Sequence, residues 1–463
     1  MTRLAIRALV LGTIALSSAI APAHAQSVDP GHWAGDAHFL VAAIDSLHPR
    51  PYRGHLTAAL DSAAEDLERR LPGLGYERSV AEFSRLMALL HDGHSRLGQL
   101  QLPAHGRPAL APLPGPGFDA VFPVEFDVFP DGLRIVRATA AHADLLGARV
   151  TAIRGRPVAE AVAALTPLIP ADNPMWTRYV LPVFLACPGF VSAAGLSEGP
   201  GAPLRLAVTD AAGRAREARL EAARPDSSLR WRSADDGTRA PLPLTRALPG
   251  PFAFADLGDS ARTVFARIRQ IVDGPGGATF AAFVGRLFAH ADSIGARRLI
   301  LDLRGNGGGN GYLNQPLVHA LIQRPALDRV GGLFVIVDRG TFSAAVMLAA
   351  DLQRETHARF VGEPTGGAPN SPGDPARVTL PASGLEVRIS TVFWYSSDPR
   401  DPRAFIAPDV PAPLTFADWR DHRDPALAAI AAFRRPADEK DTPPNQRWGS
   451  KAQIQAKVPA IAW

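Results

Sequence analysis

Lysine is nearly missing from this 463-residue chain: only Lys440, Lys451 and Lys457 occur, all close to the C-terminus, so arginine carries the basic charge. A phosphate-binding P-loop needs a lysine after its last glycine, and the glycine-rich stretches here, all before position 440, have none. Cysteine is equally scarce. Cys187 stands alone, which excludes an internal disulfide, a cysteine zinc cluster and a redox pair; a core this large needs no disulfide, so the lack says nothing about compartment. Neither sign of charge dominates, with 49 basic against 45 acidic residues and a formal net charge of +4. The arginines are scattered rather than gathered into a stripe, which argues against a nucleic-acid partner. Beyond the N-terminus no apolar run approaches the roughly 20 residues that a bilayer span requires.

The remaining composition, 46% hydrophobic and 20% charged with 43 Pro and 41 Gly, is that of a loop-rich globular protein. A single core stops growing near about 250–300 residues, so more than one unit is expected. Arg3 and Arg7, the apolar run Ala8 to Ile20 and Ala23-His24-Ala25 match the three parts of a secretory signal peptide. Residues 1–25 are therefore expected to be removed after Ala25, leaving an exported protein, periplasmic or extracellular, with no membrane segment. From 26 to 101 the apolar spacing is helical, as in Leu56, Ala59, Leu60, Ala63, Ala64, Leu67 and in Val80, Phe83, Leu86, Met87, Leu90. Ser79 to Glu82 reads as a capping box opening the second of these helices, and His91-Asp92-Gly93 as its stop. A Pro/Gly-rich linker spans 102–117. Strand character dominates 118–245, where Pro123–Val128 and Leu133–Ala138 flank an Asp131-Gly132 turn. Leu145 to Val158 resembles the end of a PDZ domain, with an ordinary β-rich insertion as the alternative. From 246 to 435 strands alternate with helices, predicting a buried sheet in an α/β core. Residues 436–463, rich in Pro, Asp, Lys and Gln, read as a poorly ordered tail.

Two junctions in that core can carry chemistry. The apolar strand Arg298–Leu303 runs into Gly305 to Gly311, a loop whose backbone amides could face an anion or form a plain turn. The strand Leu333–Val337 leads through Gly340-Thr341-Phe342 to Ser343, followed by a helical run from Ala344. Ser343 has two readings: an N-cap for that helix, or a nucleophile whose oxyanion would meet the Ala344 amide at the helix N-terminus. The Gly-x-Ser-x-Gly elbow of esterases is absent. His94, just past a helix end, could be a surface or capping histidine, a metal ligand with His91, or a base. Metal is disfavoured for want of further ligands, so no metal and no cofactor are expected. His48, His55 and His105 show no motif.

These residues carry a resemblance. Asp302 to Gly309, then Gly340 to Ala345, then Val361 to Gly367 resemble the successive blocks of the tail-specific, or C-terminal processing, serine peptidases. Leu90 to Ser95 is similar to the Asp-Gly-His segment of the branch containing the tricorn core and the interphotoreceptor retinoid-binding proteins, and Phe405 to Ile430 to its closing segment. The resemblance implies a crotonase-like ββα peptidase core, mixed α/β, with an N-terminal helical domain and the β-rich insertion. It makes Ser343 the nucleophile, with an oxyanion hole of the Ala344 amide and one glycine amide from Gly307 to Gly309, Gly308 being the first choice. The lysine that many members use as base falls here at Ala368, so His94, which can take a proton at neutral pH, is the base instead. Two features depart from the branch. Gly93 replaces a serine, and no glutamate lies between Glu386 and Glu439, leaving Asp398, Asp401 or no carboxylate to orient the histidine. The expected activity is hydrolysis of protein or peptide substrates. The alternative is a weak or inactive peptide- or lipid-binding protein on the same fold, and an acyl-CoA enzyme is disfavoured by the export signal.

Overall fold

The computed structural model describes residues 29–49, 56–98, 115, 117–224, 229–274, 279–435 and 451–463. Residues 1–25, expected as a leader, nearly all of the expected linker, His55 and His105 lie outside these. The architecture is mixed α/β. The C-terminal half is built on a six-stranded sheet in the order Val410–Pro411, Arg359–Gly362, Leu333–Val337, Arg298–Asp302, Thr263–Ile268, Phe252–Asp256. All neighbours run parallel except the last strand. Alternation along the strands covers both faces. Leu299, Leu301, Leu333, Val335 and Val337 meet the helices Phe280–Ser293, Gln315–Ile322 and Ala344–Glu355. Ile300, Phe334 and Ile336 meet the helix Pro425–Ala432 on the other side. A parallel sheet buried on both faces needs such near-continuous apolar strands.

N-terminal to this sheet lie the helices Asp36–Leu47, Thr57–Arg70 and Tyr76–Ala88, and an antiparallel sheet that includes the hairpin Val124–Phe129 and Gly132–Thr139. Both pack into one apolar core, which also takes in Phe342, Val387 and Ile389 from the C-terminal half. The third helix does not begin at a Ser79 capping box. It starts at Tyr76 with Gly75 as cap, while the Ser79 hydroxyl donates to the Gly75 carbonyl and Glu82 pairs with Arg70. The reason is packing: Tyr76 is buried edge-on between Trp33 and Phe118, which draws the helix start back by a turn.

A third, small sheet positions the site. Arg96–Leu97 pairs antiparallel with Glu386–Tyr395, which pairs with Asn370–Thr379. The register Arg96 to Arg388 ties the turn after the third helix to the C-terminal half, and the Ser390 amide donates to the Ser95 hydroxyl. Of the stretch read as a poorly ordered tail, 451–463 lie against the protein. Gln453 bonds Arg403 and Ala407, and the Ala462 amide donates to the Pro130 carbonyl.

Candidate active site

Ser343 ends the loop after the central strand and stands at the N-terminus of the helix Ala344–Glu355. It does not cap that helix. Its side chain makes no capping bond, and its backbone sits at φ 54°, ψ −130°, a strained conformation for a residue with a Cβ. The hydroxyl is left for other use, and the Ala344 amide, without a backbone acceptor, faces the same end of the helix.

The glycine loop comes against this serine through specific staples. Asp338 accepts from the amides of Gly305 and Gly340, the Phe342 amide donates to the Asn306 carbonyl, and the Thr341 hydroxyl to the Leu303 carbonyl. A Cβ on Gly308 would fall 2.6 Å from Ser343 Cβ, and one on Gly309 would fall 2.1 Å from the Ile271 carbonyl oxygen. Both glycines have positive φ, 108° and 136°. Gly308 lies beside the serine, yet its amide donates to Asn306 Oδ1 at 2.9 Å and is not free for an oxyanion. The Gly308 carbonyl and Asn310 amide pair with Ile271, so the Gly309 amide between them points the other way, and Gly309 lines the cavity.

That cavity, of about 200 Å³, is lined by both Ser343 and His94. Ala368, where relatives with a lysine base would place it, lines the same space. Tyr312, Met347 and Trp394 give it an apolar wall. No hydrogen bond joins Ser343 to His94 in this state. The His94 ring stacks on Phe342 with centroids 4.4 Å apart, and Phe342 stacks on Trp176 at 3.8 Å. This stack accounts for Gly93: a Cβ there would lie 2.6 Å from Trp176 Nε1, so no serine fits.

Behind His94 is a buried polar cluster that the sequence did not announce. Asp92 Oδ1 accepts the His94 amide at 2.9 Å and lies 3.6 Å from His94 Nδ1, beyond hydrogen-bond length but within electrostatic reach. Asp92 Oδ2 accepts from Ser95 Oγ at 2.5 Å and meets His48 Nε2 at 3.2 Å. Burial opposes ionisation of Asp92, but His48 and His94 outweigh it and hold the carboxyl well below its ordinary range. His48, read as featureless, is therefore part of the support. Asp172, in the turn before the helix Pro174–Ala186, accepts the Gly93 amide at 2.7 Å. Burial and the neighbouring Asp92 push its carboxyl up to about 7, with His94 pulling it back. Asp92, His94 and Asp172 each bring an atom within 4.8 Å of the others. His91 is exposed and outside this group.

The two aspartates offered by the sequence as orienting groups are engaged elsewhere. Asp398 binds Arg400 at 3.0 Å in an exposed turn, and Asp401 binds Arg403 at 2.7 Å in a buried pair. The shared reason is local: each has an arginine two residues on, close enough to fold back on it.

Residues 322–412 match the model of Peptidase family S41, a segment that includes the strand Leu333–Val337, Ser343 and the Val361 to Gly367 block. Among solved structures, mature CPAF complexed with lactacystin is similar with a TM-score of 0.58 at 14% identity, covering 88% of this chain and 98% of that one. A CPAF mutant gives 0.60 at 13% identity, covering 89% and 99%. No curated protein matches. At such identity the structural likeness speaks for the fold.

Proposed function

We propose that the chain is a serine peptidase of family S41 in which Ser343 is the nucleophile and His94 the general base, acting on peptide bonds of protein or peptide substrates. The carrying observation is that these two side chains, from opposite ends of the sequence, line one cavity, with the serine hydroxyl unspent on its helix and both imidazole nitrogens unbonded.

In this reading a substrate carbonyl enters the cavity beside the glycine loop. His94 accepts the Ser343 proton as Oγ attacks the carbonyl carbon, a transfer that needs the groups to close to about 2.6–3.2 Å, as apo sites commonly do only on binding substrate. The developing oxyanion is met by the Ala344 amide, backed by the partial positive charge of the helix N-terminus, and by the Gly309 amide in place of the occupied Gly308 amide. His94 then gives its proton to the leaving amine, and water admitted to the site releases the acyl group by the reverse sequence. The apolar wall of Tyr312, Met347 and Trp394 favours apolar side chains next to the scissile bond. The same proposal takes the protein as exported, on the strength of its N-terminal pattern; a mature chain beginning at Gln26 by mass spectrometry supports this, and one retaining Arg3 and Arg7 refutes it.

Ser343→Ala should lose labelling by a fluorophosphonate probe and lower peptide cleavage by about 10³-fold or more. Cleavage persisting at the parental rate in this variant would remove Ser343 from the mechanism.

A further inference from the structure

A serine–histidine pair needs something to hold the imidazole in one tautomer, and the two aspartates nearest the closing segment are spent on arginines. The buried atoms around His94 indicate another candidate. Both His94 ring nitrogens are shut off from solvent and make no hydrogen bond, so whichever carries the proton is an unpaired buried donor. Such a group costs about 1–3 kcal/mol if left unmet. Asp92 is the closer carboxylate, but its oxygens already take the His94 amide, the Ser95 hydroxyl and His48. Asp172 differs. One of its oxygens takes the Gly93 amide, while Oδ2 is buried with no partner. An unpaired acceptor and an unpaired donor therefore lie within one cluster.

Resting on the Ser343–His94 reading, we propose that Asp172 is the positioning residue of the peptidase: its Oδ2 accepts the His94 N–H that faces away from Ser343 and holds the imidazole for proton transfer. The backbone is built for such a task. The next residue, Asn173, caps the helix Pro174–Ala186 with its Oδ1 and donates through Nδ2 to the carbonyls of Thr365 and Ala404 in the C-terminal half. Asp172 is thereby pinned between the His94 turn, through Gly93, and Ala368, just after the Val361 to Gly367 block, whose amide also faces its carboxylate. The titratable groups around it are Asp92 and His94, with His48 bonded to Asp92 and Arg96 donating to the His94 carbonyl. Because Asp92 and burial keep a proton on Asp172 up to near neutrality, its hold on the N–H grows as that proton leaves.

The test uses the purified full chain. Asp172→Asn should lower kcat by about 10²–10⁴-fold, as loss of an orienting carboxylate does elsewhere, with KM within about twofold and the melting transition intact. Fluorophosphonate labelling of Ser343 should slow in parallel, and the deficit should widen as pH rises through about 7. Asp398→Asn should leave activity unchanged. An independent readout is a low-field imidazole N–H proton resonance in Ser343→Ala protein, assigned by its loss on His94→Gln. It should be present in that background and vanish when Asp172→Asn or Asp172→Ala is added. Asp172→Asn with kcat and labelling within about twofold of the parent would overturn the proposal, as would a missing resonance or one that outlasts the second substitution. If instead Ser343→Ala stays active, the peptidase assignment itself fails, while the resonance still judges the Asp172–His94 contact.

Discussion

At the scale of single residues, the site is set by backbone states that side chains normally avoid. Ser343 at φ 54° stores of order 1–3 kcal/mol of strain. Ser343→Gly should therefore raise stability in urea by about 1 kcal/mol while abolishing cleavage, whereas Ser343→Ala keeps the Cβ and the strain. Gly308 is constrained twice, by its φ of 108° and by Ser343 Cβ 2.6 Å from where its own Cβ would be. Gly308→Ala should cut probe labelling by at least about 10²-fold, by moving the serine. Asp172 has its own pH signature. Its carboxyl titrates at about 7 in the folded chain against about 3.9 unfolded, so the folded state holds the extra proton. That contribution to stability is fully present below about pH 4 and is lost as pH climbs to about 7. Asp172→Asn cannot lose it, so melting temperatures of variant minus parent should rise across that window. A flat difference would contradict the titration.

At the scale of elements, the histidine owes its place to the turn that follows the helix Tyr76–Ala88. Leu90 to Asp92 closes the helix, and Arg96–Leu97 is captured as an edge of the 386–395 strand. Between them Ser95 is the hinge pin, donating to Asp92 and accepting from the Ser390 amide. Ser95→Ala strands both partners in a buried site and should cost about 1–3 kcal/mol. It should also loosen His94, which a fall in kcat exceeding any rise in KM would reveal. The helix ends at Ala88, with His91 at φ 50° and not Gly93 taking the left-handed turn, so of the expected helix its apolar period was legible in the sequence, because that is local. The helix start was not, because Tyr76 finds its partners Trp33 and Phe118 through the fold. Asp172-Asn173-Pro174 does carry a readable sign, an Asn cap before a first-turn proline. That sign foretells a helix and says nothing of the histidine beside it.

Across the whole molecule, partly buried charge joins the two halves. Arg339, four residues before Ser343, binds Asp127 of the antiparallel hairpin at 2.8 Å and lies 3.9 Å from Glu363. Burial raises the carboxyls of Asp338 and Glu363, and Arg339 pulls both back down. Arg339→Met leaves these acids without their cation. Leaving these partly buried acids unpaired should cost about 1–3 kcal/mol. Since ionised buried carboxylates are the penalised form, urea unfolding should show a larger loss at pH 8 than at pH 5. The apolar core spanning the N-terminal helices, the antiparallel sheet and Phe342 makes the same link without charge.

Local order in the chain was enough to announce a buried sheet, a serine at a strand-to-helix junction, a glycine loop and a histidine past a helix end, since each rests on spacing among near neighbours. The absence of lysine before position 440 likewise left histidine as the base that the resemblance implies. Which amide is free, which aspartate reaches the imidazole and which merely answers an arginine are matters of long-range approach. The Gly308 amide, expected at the oxyanion, is held by Asn306, and Asp172 meets Gly93, 79 residues away in sequence, only through the fold. Hydrogen bonds and desolvation depend on distances of a few ångströms between groups remote in sequence, and only the packed chain sets those.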